Sequence, residues 1–247
     1  WSKPPFPAVE GLYARPTVVN NTETLANVPP IINKGADWYK SMGTERSPGV
    51  KIVCMSGHVE NPGNYEVKMG TTYRELLDMA GGMQGGKAFK ALLPSGGSGP
   101  VIVEDALDAP LTYEGLDDFG SVMGSASVIV MDEDTDMVWA ATKMIHFFRH
   151  ESCGKCTPCR EGTFWMEKIL HRIQAGHGTQ DDLKTLESVA KQISGRCLCA
   201  LGEFAVNPVL STIRHFFNEY EAKINAASAN GQGAAENDRQ PALATAD

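Results

Sequence analysis

The chain has 247 residues, 42% hydrophobic and 21% charged, enough apolar material for one to three domains with real cores. A formal charge of −8 and a pI of about 5.3 leave no basic footprint for nucleic acid or an anionic membrane surface. No run approaches the roughly 18–20 apolar residues of a membrane helix, and residues 1–20 lack the apolar stretch of a signal peptide. Trp1 stands where a Met is expected, so the chain reads as a piece of a longer or processed polypeptide.

Residues 1–48 are rich in Pro, Asn, Thr and Gly. Pro4, Pro5, Pro7, Pro16, Pro29 and Pro30 predict extended or turned chain around one short helix near Glu23–Lys34. Residues 49–132 read as a small α+β domain. Val50–Ser56 and Tyr65–Lys68 are predicted strands joined by a turn at Asn61-Pro62-Gly63-Asn64. Thr72–Ala80 is a predicted helix with Tyr73, Leu76, Leu77 and Ala80 on one face, capped by Thr71 or Thr72 and ended by Gly81-Gly82. Ala91–Leu93, Pro100–Val103 and Ser127–Met131 supply further strands, and the whole suggests a β-grasp arrangement. Cys54, in the apolar run Lys51-Ile-Val-Cys54-Met-Ser, reads as a buried packing residue. Gly81–Lys87 has the frame G-x4-G-K, but Ala88 replaces the Ser or Thr that binds Mg²⁺, and a helix rather than a strand precedes it. It is not a phosphate-binding loop.

Residues 133–225 are helical by pattern: Asp136–His150, Thr163–Ala175, Thr179–Ser194 and Val206–Lys223, with short connections that favour an antiparallel bundle. Asp181 and Asp182 lie at one helix start, where the dipole prefers them. The run Asp132–Asp136 reads as a solvated loop. Met137, Met144 and Met166 read as core, and His146, His150 and His171 as surface or satisfied core residues. His150 precedes the first clustered cysteine by three positions and is a candidate hydrogen-bond donor to that site. Residues 226–247 read as a disordered tail.

Of six cysteines, five fall between 153 and 199. A disulfide scaffold would be shorter and richer in Cys, so these thiols read as chemical groups of a cytosolic chain. Glu151-Ser-Cys153-Gly-Lys-Cys156-Thr-Pro-Cys159-Arg160-Glu-Gly has the spacing C-x2-C-x2-C, and Cys199 follows after 39 intervening residues. Three close thiolates and a remote fourth suit a cubane iron–sulfur cluster, provided the chain curls around one centre. Gly154 and Pro158 supply turn chemistry. Lys155, Arg160 and the amides opening helix Thr163–Ala175 would offset the cluster's negative charge. Zinc is the competing reading, but its structural sites generally come as two separated pairs. Spacing alone does not choose between Cys197 and Cys199 as the remote ligand.

Pro5-Phe-Pro-Ala, Arg15-Pro-Thr-Val-Val-Asn20-Asn21-Thr-Glu-Thr-Leu-Ala-Asn27-Val-Pro, the Glu151–Gly162 motif and Cys199-Ala-Leu-Gly-Glu together resemble the flavin-bearing F subunit, of the 51 kDa type, of NADH-quinone oxidoreductase, respiratory complex I. The resemblance covers about residues 1–225. It implies an α+β multidomain chain in which 1–48 is the end of a Rossmann-like FMN- and NADH-binding domain. On this reading 49–132 is a β-grasp domain of the soluble-ligand-binding type, and 133–225 a four-helix bundle holding one 4Fe–4S cluster. By position it implies Cys153, Cys156, Cys159 and Cys199 as cluster ligands, Cys197 as a non-ligand, Asn20 and Asn21 with Val19 as FMN contacts, and Ala200-Leu201 between flavin and cluster. The family's glycine-rich loop for FMN and NADH is absent, which implies that this chain alone is inactive. No general acid or base is expected, because hydride and electron transfer need none. The implied partners are other subunits of an NADH-oxidising complex, notably a 2Fe–2S subunit and an iron–sulfur subunit, at the inner face of the cell membrane without insertion. The diaphorase subunits of NAD-reducing hydrogenase and NAD-dependent formate dehydrogenase carry similar motifs. A non-enzymatic zinc-binding interaction module is the alternative of another class.

Overall fold

The computed structural model describes residues 4–229. The chain opens with α1 (Thr22–Lys34) and α2 (Ala36–Lys40). Asn21 caps α1: its Oδ1 accepts the amides of Glu23 at 2.8 Å and Thr24 at 3.4 Å. Pro29 and Pro30 lie inside α1, against the expectation that they keep the chain extended. Proline's fixed φ is itself helical, and the carbonyls left without a donor, those of Leu25 and Ala26, belong to exposed residues. Glu23 ties α1 to the next unit, with its carboxylate on Lys51 Nζ and, at 2.7 Å, on the amide of Ile52.

β1 (Val50–Gly57), β2 (Gly63–Lys68), α3 (Tyr73–Met79), β3 (Phe89–Gly97) and β4 (Ser127–Asp132) follow. The sheet order is β2-β1-β4-β3. Its central pair is parallel, with Cys54 opposite Ser127 and Gly57 opposite Val130. Both outer pairs are antiparallel, with Val50 opposite Lys68 and Leu92 opposite Val130. One helix packed on this mixed four-stranded sheet makes the segment α+β, as its pattern predicts. Strand alternation assigns the faces. Val53, Met55, Leu92, Val128 and Val130 point to α3, where Tyr73, Leu76 and Leu77 are buried.

Three local expectations need correction. Gly63 and Asn64 belong to β2, paired with Met55 and Cys54, rather than to the turn. The reversal starts earlier, at Gly57, whose φ of +85° and 2.1 Å approach of a would-be Cβ to the Val130 carbonyl suit only glycine. Pro100–Val103 is no strand. It contributes a single bridge, Ile102 to Leu92, and the amide of Val101 donates instead to Ser211 Oγ at 2.9 Å. Cys54 is exposed, not buried. It points to the outer face of the sheet, which the following helices cover only at β3 and β4, through Met137, Ala140 and Met144 on Ala91, Leu93 and Met131.

α4 (Met137–Glu151), α5 (Thr157–Gln174), α6 (Gln180–Ile193) and α7 (Leu201–Ala229) pack around one apolar core containing Ile145, Met166, Leu170, Leu186, Val209 and Tyr220. Asp136 caps α4 through the amides of Val138 and Trp139. Thr179 and Asp182 form a capping box on α6. α5 and α6 cross closely at Gly162, where a Cβ would stand 2.5 Å from Ile193 Cδ1. α7 contains Pro208 and breaks its helical geometry at Phe216. Beyond the break, Glu219 accepts the Met137 amide at 3.0 Å and pairs with Lys90, while Lys223 pairs with Asp136. α7 therefore holds sheet and helices together. It also runs through residues 226–229, predicted as tail; residues 230–247 lie outside the described residues.

Candidate metal centre

Five of the six cysteines, Cys153, Cys156, Cys159, Cys197 and Cys199, line one cavity of about 210 Å³. It is closed by the end of α4 (Glu151, Ser152), the connecting loop, the first turn of α5, the bend at 197–199 and the start of α7 (Leu201, Gly202). α5 begins at Thr157, not at Thr163 as its periodicity suggests. Pro158 is a helix-start residue here, since an amide in the first turn has no helical partner to lose. Cys156 is consequently the N-cap residue and Cys159 lies in the helix, buried. The chain reverses at Gly154, whose φ is +74°. Arg160 pins that reversal, donating from Nη1 to the Gly154 carbonyl at 2.6 Å and from Nε to Glu161 at 2.8 Å. Lys155 lines the cavity, as its position in the loop suggests.

Two polar groups reach the sulfurs that no motif announced. The Ser152 hydroxyl lies 3.2 Å from Cys159 Sγ. The amide of Leu198 donates to Cys156 Sγ at 3.3 Å and so brings the remote segment to the loop. His150 makes no such contact; it is turned to Glu151, with its side chain 81% exposed. Burial pushes the Cys159 thiol up, the Ser152 hydroxyl pulls the other way, and the neighbouring thiols of Cys199, Cys156 and Cys153 push it up again. Burial also raises Cys197, with Cys159 and Cys156 acting in the same direction.

This donor set fits an iron–sulfur cluster. Thiols are soft ligands suited to iron–sulfur clusters or zinc. A single tetrahedral zinc with sulfur at about 2.3 Å would gather its thiolates to within roughly 4 Å of one another. The five thiols line one cavity of about 210 Å³, and an all-cysteine donor set of this kind suits a sulfur-held cluster.

A buried carboxylate lies farther along α5. Glu167 holds His146 Nδ1 at 2.6 Å, Arg149, and His171 Nε2 at 3.8 Å. Burial raises its pKa, but the bonds from His146 and Arg149 more than offset this and hold it below the ordinary value. His146 and His171 are thus partners of a buried acid, which periodicity alone could not reveal.

Of the residues expected toward the flavin, only Leu201 lines the cysteine cavity. Val19, 73% exposed, lines an open cavity of about 550 Å³ with Phe6, Pro16 and Val18. Asn20 is exposed, and the Asn21 side chain is spent on its helix cap. Ala200 is exposed, while Leu201 faces the cysteine cavity.

Residues 139–223 match the family model for the NADH-ubiquinone oxidoreductase-F iron-sulfur binding region, and residues 52–103 match the SLBB domain. All five cavity cysteines lie inside the first match. The F subunit of NADH-quinone oxidoreductase from Streptomyces coelicolor is 50% identical over 222 residues, 90% of this chain and 49% of that protein. The F 2 subunit of the same enzyme from Rhizobium meliloti is 51% identical over 223 residues, 90% of this chain and 53% of its own. The chain is a homologue of the NADH-quinone oxidoreductase F subunit. It spans about half the length of these curated relatives. Among solved structures, the NAD+-reducing [NiFe]-hydrogenase in its H2-reduced state is similar, with a TM-score of 0.79 and 36% identity over 90% of this chain and 38% of that one. The chain therefore matches a 4Fe–4S-binding region, which contains the five cavity cysteines, beside an SLBB domain.

Proposed function

We propose that this chain is the cluster-bearing half of an NADH-oxidising subunit, relaying electrons from an NADH-reduced flavin to other subunits. Residues 1–48 are the end of the FMN- and NADH-binding domain, Rossmann-like in the whole protein. Residues 49–132 are the β-grasp domain, and 133–225 the four-helix bundle around the metal centre. Cys153, Cys156, Cys159 and Cys199 hold one 4Fe–4S cluster, which when bound takes up and releases single electrons. The carrying observation is the meeting of five thiols on one cavity inside the iron–sulfur match.

The chain's own residues tune that centre. Once Cys159 is a thiolate, Ser152 must be the donor, and a hydrogen bond to sulfur favours the more negative, reduced state. The Leu198 amide does the same for Cys156. The opening amides of α5 point partial positive charge at the site. Val19, Asn20 and Asn21 contribute to the flavin side and Ala200-Leu201 lies toward it, with the remainder of the whole protein completing FMN and NADH binding. Leu198, 77% exposed between two cavity cysteines, offers an apolar contact to a neighbouring subunit, a 2Fe–2S or another iron–sulfur subunit. Attachment to a membrane is peripheral, through the complex; among the described residues no helix is long and apolar enough to cross one. Whether the acceptor is a quinone enzyme or a hydrogenase depends on those partners. The 50% identity to the quinone enzyme's F subunit favours the first, and the hydrogenase likeness supports the second.

The test uses the assembled complex with Cys156→Ala. NADH should still bleach the flavin while electrons fail to reach the downstream centres. Unimpaired onward transfer overturns the relay.

A further inference from the structure

The cavity offers five thiols to a cluster that takes four. The remote pair, Cys197 and Cys199, flanks the residue whose amide reaches Cys156 Sγ, so both thiols lie within one residue of that bond. They differ in setting. Cys199 is exposed, whereas Cys197 is partly buried against the helical core. Cys197 sits in a slot that exists because residue 202 is glycine: a Cβ there would stand 2.6 Å from Cys197 Sγ. Its S–H reaches the Ile193 carbonyl only at 3.8 Å, a weak bond. A backbone hydrogen bond from Cys159 also holds this sulfur and keeps it beside the other cavity thiols, so turning to a metal breaks that bond and the weak one to Ile193.

We propose that Cys197 is a reserve fourth ligand, able to take the place of Cys199 on the cluster. The exchange is balanced: the iron–sulfur bond to Cys199 breaks, one to Cys197 forms, and the proton leaving Cys197 passes to the freed Cys199 thiolate. No electron moves. The exposed ligand is the one solvent and oxidants reach first, and the sheltered thiol beside it keeps the cluster from opening when that bond is lost.

This role rests on the cluster reading of the proposed function, and the experiment separates the two. The full chain is reconstituted anaerobically with iron and sulfide as wild type, Cys199→Ala, Cys197→Ala and the double variant; alanine is used because serine oxygen can itself bind iron. Iron and sulfide content, the EPR spectrum after dithionite and the helical circular dichroism of each form are recorded. Cys199→Ala should keep most of the wild-type iron and sulfide with a shifted spectrum, Cys197→Ala should match wild type, and the double variant should lose the cluster. In the reconstituted wild type Cys197 should react with iodoacetamide under partial denaturation, whereas in reconstituted Cys199→Ala it should be protected. If Cys199→Ala is folded by circular dichroism yet as depleted as the double variant, or binds iron with Cys197 still reactive, the reserve role is wrong. If wild type itself holds no cluster, the underlying reading fails instead.

Discussion

The hydroxyl of Ser152, the residue that closes α4, lies 3.2 Å from the sulfur of Cys159 in the first turn of α5. The contact links two helices across the cavity and would give Cys159, once it is a thiolate, a side-chain donor. Ser152→Ala removes it without altering a ligand. The expected result is a lower reduction potential with unchanged iron content, by tens of millivolts, since about 59 mV is a tenfold change for one electron. An EPR-monitored redox titration reads this. An unchanged potential means that the hydroxyl does not act on the cluster.

Gly162 sets how closely α5 can approach α6, and α6 leads directly into the 197–199 bend. Gly162→Val would place its Cβ 2.5 Å from Ile193 Cδ1, with two further methyl groups to fit. Overpacking of this kind costs about 1–3 kcal/mol. Urea unfolding should register that loss, and the variant should retain less iron on reconstitution because the remote thiols are displaced. Wild-type stability would mean that the crossing is looser than the geometry indicates.

Glu167 makes stability depend on pH. Its folded pKa lies below the ordinary 4.5, so the ionised acid stabilises the fold above that value. The contribution is lost as pH falls from about 4.5 through the lower folded pKa. Glu167→Gln should be less stable at pH 7, by on the order of 1–3 kcal/mol because Arg149 loses its charged partner. Its stability should also fall less steeply as the pH drops through that window. Thermal melts of both proteins across it check the slope, and parallel profiles would refute the assignment.

Glu23 fastens α1 to β1 through Lys51 and the Ile52 amide. α1 buries no residue of its own, so this anchor has few substitutes. Glu23→Ala should speed limited proteolysis within residues 22–34 up to about tenfold, the equivalent of about 1.4 kcal/mol, with little change in global unfolding. Unchanged cleavage would mean that other contacts hold the helix.

Much of this fold is legible in the sequence because local signals agree with the final packing. Short apolar, β-branched runs mark β1 and β4, the Thr72 cap marks α3, and 3.6 periodicity marks α4 and α6. The errors have definite causes. Pro158 suggests a turn, yet proline serves equally well in a first helical turn, and this hides the fact that Cys159 belongs to α5. Cys54 lies in an apolar run, but which strand face is covered depends on where α4 docks, which one strand cannot encode. Gly162 gives no local sign of its packing role, because its partner, Ile193, is 31 residues away. The cysteine spacing announces the site. The donors to sulfur do not appear in it, because the Leu198 amide has no side-chain signal and Ser152 is an ordinary serine until α5 is in place.

Whether the thiols on this cavity hold a single four-iron cluster is tested most directly by Mössbauer spectroscopy with iron and sulfide analysis of the anaerobically reconstituted chain. The expected result is about four irons and four sulfides per chain, delocalised iron pairs in the oxidised state, and a spin-half EPR signal after one-electron reduction. About one zinc per chain, negligible sulfide and no signal on reduction would contradict it.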